Sequence, residues 1–161
     1  MSHGEGIDAP SPPVGEGWGE GESNARHDQP EKRIAMGATY VDVTIRNPAD
    51  PQRSWTGKFL VDTGAFDSLV PRAHLEAIGL HPRGRREYVL ADGSAIALDI
   101  TIAEIEFEGE IVGGTIIYGD DGAEPLLGVT ALESGGFEVD PRSETLKRLP
   151  AVLLKAHRRR R

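Results

Sequence analysis

Apolar and polar residues alternate with a period of two at the start of the ordered chain, where Val41, Val43 and Ile45 interleave with Asp42, Thr44 and Arg46. That is the pattern of a half-buried strand, with order beginning near Ala38. Asn47-Pro48-Ala49-Asp50-Pro51 reads as a loop, because two prolines cannot continue a hydrogen-bonded ladder. Residues 54–61 form the return strand, whose apolar end Phe59-Leu60-Val61 runs directly into Asp62-Thr63-Gly64. After Leu69-Val70, residues 71–78 read as a short helix stopped by Gly79, with Leu75 and Ile78 on its buried face. Residues 80–86 read as a basic loop and 87–91 as a strand, with Asp92-Gly93 a hairpin signal. A long return strand starts at Ser94, placing Ile96, Leu98, Ile100 and Ile102 on one face. Ile105 and Phe107 carry the alternation on one residue out of step, which predicts a bulge near Ala103-Glu104. Residues 110–118 are a further strand and 119–125 an acidic loop. Leu126-Leu127-Gly128 then leads into one helical turn and the stop Gly135-Gly136, before strands at 137–140 and 145–149.

The junction at Asp62 carries the candidate chemistry. A carboxylate delivered at the end of a buried strand is costly unless something hydrogen-bonds to it. Gly64 allows the backbone to turn so that amide N–H groups point back at Asp62, and Thr63 adds a hydroxyl that both donates and accepts. Asp-Thr-Gly alone also fits an ordinary strand-ending turn. Its apolar flanks and the later Leu126-Leu127-Gly128 favour a functional loop.

Composition narrows the field. The chain has 161 residues, enough for one domain with a buried core. It has no cysteine, which excludes disulfides, cysteine-based zinc sites and a cysteine nucleophile. His74 and His81 have no third ligand nearby, so no metal and no cofactor is expected. No signal peptide and no run of membrane-spanning length is apparent, so a soluble, cytoplasmic protein is expected. The net charge of −8 is distributed unevenly. Residues 1–35 read as a disordered leader rich in proline, glycine and acids, and residues 151–161 as a basic tail ending in four arginines. The domain at 36–150 is strongly acidic, which disfavours a nucleic-acid partner.

Together these parts resemble the retropepsin-like aspartic proteases, and the single-domain bacterial members more than the viral ones. The resemblance rests on a hairpin, then Asp62-Thr63-Gly64-Ala65, then a second hairpin, then Leu126-Leu127-Gly128 with its short helix. It implies an all-β closed barrel of the acid-protease type, one lobe per chain, with one or two short helices. It also implies an aspartic endopeptidase that acts on protein or peptide substrates. Asp62 would be the catalytic carboxylate. Thr63 would grip the opposite loop across a two-fold axis, and Gly64 with Ala65 would let a peptide backbone approach. Leu126, Leu127 and Gly128 would support the loop in the core. Asp67 would offer hydrogen bonds to substrate at the rim, and Ala91, Asp92, Gly93 and Ser94 would form a flap closing over the cleft.

The mechanism needs two carboxylates sharing one water and one proton. Only one Asp-Thr-Gly is present, so a homodimer is expected to supply the second aspartate. Viral members carry an Asp after the Ala and an Arg after the apolar-apolar-Gly; here those positions are Phe66 and Val129. An apolar contact is expected to stand in for that ion pair, and the two terminal strands are expected to form the dimer seam. The alternatives are a catalytically silent peptide- or partner-binding domain of the same fold, and a small structural β domain.

Overall fold

A computed structural model describes residues 37–150. The expected leader and basic tail lie outside the described residues. Within them, nine strands and two short helices follow one another: β1 (Tyr40–Asn47), β2 (Asp50–Asp62), β3 (Ser68–Pro71), α1 (Arg72–Ala77), β4 (Gly84–Val89), β5 (Ala95–Phe107), β6 (Glu110–Gly119), β7 (Leu126–Gly128), α2 (Val129–Ser134), β8 (Phe137–Asp140) and β9 (Thr145–Arg148). The all-β expectation with two short helices holds. Strands β1-β2-β7-β3-β6-β5 are neighbours in that order, and β5 returns to pair with β1 through Ile45↔Ile105, which closes a ring. Strand β4 pairs only with β5 and stands outside the ring, while β8 and β9 form a separate two-stranded hairpin.

The ring encloses a hydrophobic core. Val43, Ile45, Phe59, Val70, Ile105, Ile116 and Leu127 are completely buried, and Leu75 of α1 packs on the same cluster. The alternation at Val41, Val43 and Ile45 therefore has the cause read from the sequence, with the apolar face inward. The His74 ring stacks on Trp55 with centroids 4.3 Å apart.

Three local expectations are corrected. The loop expected at 47–51 shrinks to a turn at Pro48-Ala49, and β2 starts at Asp50 with Pro51 inside it. The register shifts between Arg46 and Asn47, which face Ser54 and Asp50 respectively. Residues 51–53 thus oppose no ladder position, so Pro51 removes no needed hydrogen bond. Buried Asn47 secures the turn by accepting from the Ala49 N–H at 2.9 Å and donating to the Ile78 carbonyl at 3.0 Å.

The basic loop expected over 80–86 is cut short, because Gly84, Arg85 and Arg86 already belong to β4, paired with Ile100, Asp99 and Leu98. An edge strand with exposed side chains is held by its ladder rather than by burial, so it leaves no apolar alternation to read.

The bulge expected near Ala103-Glu104 is absent. β5 pairs with β6 without interruption from Ile100↔Ile117 to Phe107↔Glu110. The apolar parity changes because the strand lines two compartments. Thr101, Ala103, Ile105 and Phe107 face the ring interior and are buried, whereas Leu98 on the opposite face lines an outer cleft. Ile102, beyond the cleft on that outer face, is 60% exposed.

Candidate active site

The loop at Asp62 is built by strand order. β2 and β7 run parallel, with Leu60↔Leu126, Val61↔Leu127 and Asp62↔Gly128 side by side. β3 pairs with β7 from the other side in the antiparallel sense, through Leu69↔Leu126. The chain from Asp62 to Ser68 must therefore arch over the end of β7 to pass from one side to the other. The residues leaving β7 fasten that arch from below. Gly128 N–H donates to Ser68 Oγ at 3.0 Å, Val129 N–H to the Ala65 carbonyl at 2.8 Å, and Thr130 N–H to the Phe66 carbonyl at 3.3 Å. The Thr130 hydroxyl also donates to the Phe66 carbonyl.

Gly128 is dictated by this closeness. A Cβ there would stand 2.5 Å from the Asp67 carbonyl carbon and 2.8 Å from the Phe66 carbonyl oxygen, both backbone atoms that cannot swing away. Leu127 is completely buried beneath the loop and Leu126 partly so.

Asp62 ends β2 half-buried, and its Oδ1 accepts the Gly64 N–H at 2.9 Å. Gly64 serves less by its backbone angles than by its missing side chain, because a Cβ there would come within 3.2 Å of that same oxygen. The Ala65 N–H closes the turn onto the Asp62 carbonyl at 3.1 Å. Thr63 is exposed on the arch.

Beside the arch lies a cleft of about 660 Å³. Gly64, Ala65, Phe66 and Asp67 form one wall, Leu69, Leu98 and Ile117 an apolar floor, and residues 86–90 the opposite wall. The hairpin between β4 and β5 therefore borders the cleft, but not through the expected residues. Ala91, Asp92, Gly93 and Ser94 are exposed at its tip and outside the cleft lining; Arg86, Tyr88, Val89 and Leu90 line it instead. The tip is a tight three-residue loop. Leu90 N–H donates to the Ser94 carbonyl at 2.8 Å, Gly93 N–H returns to the Leu90 carbonyl at 2.9 Å, and Gly93 adopts φ +84°. The Ser94 hydroxyl and N–H both donate to Asp92 Oδ1, which holds its carboxyl below the usual carboxylate range.

Asp67 is the largest departure from expectation. It was expected at the rim with its carboxylate free for substrate, yet it is only 4% exposed. Its Oδ2 accepts Arg86 Nη1–H and the Tyr88 hydroxyl, each at 2.6 Å. Burial, followed by the hydrogen bond to Asp67, pushes the Tyr88 phenol up to about 12. A phenol pKa raised above its unfolded value favours folding below about pH 10, and that contribution disappears as pH climbs to about 12. Between those values, the urea midpoint of the wild type is expected to fall more steeply with pH than that of Tyr88→Phe, measured by fluorescence.

Phe66 is 63% exposed at the cleft wall, and its segment is tied to residues 129–130 by the Val129 and Thr130 N–H groups and the Thr130 hydroxyl. Ser68, Thr130, Arg86 and Tyr88 were not singled out from the sequence. A serine opening the apolar run Ser68-Leu69-Val70 was the one available signal; the partners of the others are distant in sequence. No cluster of three or more metal-binding side chains converges among the described residues.

Comparison with known proteins agrees with this architecture. A family model described as gag-polyprotein putative aspartyl protease matches residues 54–134, a span holding both the Asp62 arch and the β7 strand beneath it. A search of curated proteins gives no match. With half of its length matched, site included, the chain belongs to the retropepsin-like aspartyl protease family.

Proposed function

We propose that the protein is an aspartic endopeptidase whose working unit is a homodimer, with the Asp62 carboxylates of two copies sharing one water. The observation that carries this reading is the arch. It holds the half-buried Asp62 carboxylate next to the Gly64–Asp67 stretch that walls an apolar cleft, and its other carboxylate, Asp67, is already bonded to Arg86 and Tyr88. Asp92, by contrast, lies in an exposed turn bonded to its own neighbour Ser94, and Asp140 ends β8, in the hairpin outside the ring and away from the cleft lining. On this reading Thr63, exposed on the arch, meets its counterpart in a second copy.

In such a pair, close carboxylates cannot both ionise, so one proton is shared. The ionised Asp62 takes a proton from the water as its oxygen attacks the peptide carbonyl carbon, and the protonated Asp62 hydrogen-bonds the carbonyl oxygen. Collapse of the tetrahedral intermediate breaks the C–N bond, with a proton delivered to the departing nitrogen. The Gly64 N–H keeps one Asp62 oxygen aligned throughout.

The test is cleavage of a denatured protein between mildly acid and neutral pH. Hydrolysis with a bell-shaped pH profile, blocked by a statine-type transition-state mimic, is the expected result. Binding of that mimic without any cleavage would instead identify a silent peptide-binding domain.

A further inference from the structure

We propose that Asp67 is a positioning residue: it ties the cleft-side hairpin to the arch that carries Asp62, so that substrate closure is referenced to the catalytic loop itself. The proposal rests on the endopeptidase reading for its kinetic consequence, and on geometry for the tie. β4 pairs only with β5, so it reaches the rest of the barrel through one neighbour. Arg85 does not change this, since it bonds to the Ala97 carbonyl and pairs with Asp99, both on β5. Among the described residues, the hydrogen bonds that leave β4 for an element other than β5 are those of Arg86 and Tyr88, and both end on Asp67 Oδ2.

Arg86 and Tyr88 are two apart on a strand and so project from one face, and both line the cleft. A single buried carboxylate oxygen thus receives two charge-assisted bonds from the hairpin. Asp67 lies five residues beyond Asp62, and its backbone sits against Gly128. The hairpin is therefore fastened to the most firmly braced segment of the site. The arrangement also occupies the oxygen that would otherwise attract a basic substrate side chain, leaving Phe66, Leu69, Val89, Leu90 and Leu98 to define that part of the cleft.

A tether of this kind stabilises substrate and transition state alike, so its loss raises KM more than it lowers kcat. The test is hydrogen exchange by mass spectrometry on the full chain, comparing wild type with Asp67→Asn and Tyr88→Phe. Tyr88→Phe removes one hydroxyl and keeps the Arg86 pair, so it guards against a folding defect in the Asp67 variant. Amides of residues 84–95 are expected to exchange about tenfold faster in both variants, with β1, β6 and β7 unaltered, and peptide KM is expected to rise by about the same factor. Unchanged exchange in the hairpin, or a uniform rise across the barrel, would overturn the tether. Should the wild type cleave nothing, the endopeptidase reading falls while the exchange comparison still decides this one.

Discussion

Replacing Asp62 by Asn is expected to reduce peptide cleavage by at least about 10³-fold, since a positioned general base or acid commonly contributes 10²–10⁴ and the proposed mechanism asks Asp62 to serve as both across the dyad. The amide keeps the shape of the carboxylate and can still accept the Gly64 N–H at Oδ1, so the arch should persist. It removes the ionised partner that takes the proton from water, and it cannot carry the shared proton. The melting temperature of Asp62→Asn is therefore expected to stay within a few degrees of the wild type. A calorimetric scan beside a peptide-cleavage assay checks both halves. Equal cleavage by the two proteins would remove Asp62 from the chemistry.

Gly128→Ala is expected to act in the opposite way, through stability. The new methyl would meet Asp67 and Phe66 backbone atoms at 2.5–2.8 Å, where no rotamer change can relieve it. Relief requires the arch to lift from β7, which stretches the bonds from Gly128 to Ser68 and from Val129 to Ala65. Overpacking of this kind costs about 3 kcal/mol, at the upper end of the usual range. For a domain of this size that is a melting temperature lower by roughly 10 °C. Activity should fall as well, because the lifted loop carries Asp62. An Ala variant as stable as the wild type would mean that the loop and β7 are not held in contact.

Both residues were legible in the sequence because their signals are local. An apolar strand ending in Asp-Thr-Gly shows the carboxylate, and an apolar pair before glycine shows the supporting strand. The first strand followed from alternation at Val41, Val43 and Ile45 and the second hairpin from Asp92-Gly93, whereas the closed ring was implied only by the resemblance to the retropepsin-like family. What stayed hidden depends on pairing between distant segments. Nothing near Asp67 indicates that Arg86 and Tyr88 will neutralise it, and nothing near Arg85 marks a strand, because β4 is held by β5 alone. The apparent slip in β5 has the same origin. One strand with apolar residues on both faces suggests a bulge, whereas here its two halves serve a core and a cleft. Pro51 was misread for a simpler reason: a register shift elsewhere on the hairpin had already freed its position from the ladder.

Mixing subunits is the most direct test of a dyad shared between two copies. Wild-type protein is held at a fixed concentration while Asp62→Asn protein is added under conditions that allow exchange. If each working site takes one carboxylate from each protomer, cleavage should drop to about one half at equal amounts and to about one tenth at a ninefold excess, as mixed pairs replace intact ones. Cleavage that stays constant per wild-type chain through the whole titration would show that one protomer is sufficient, and would contradict the shared site.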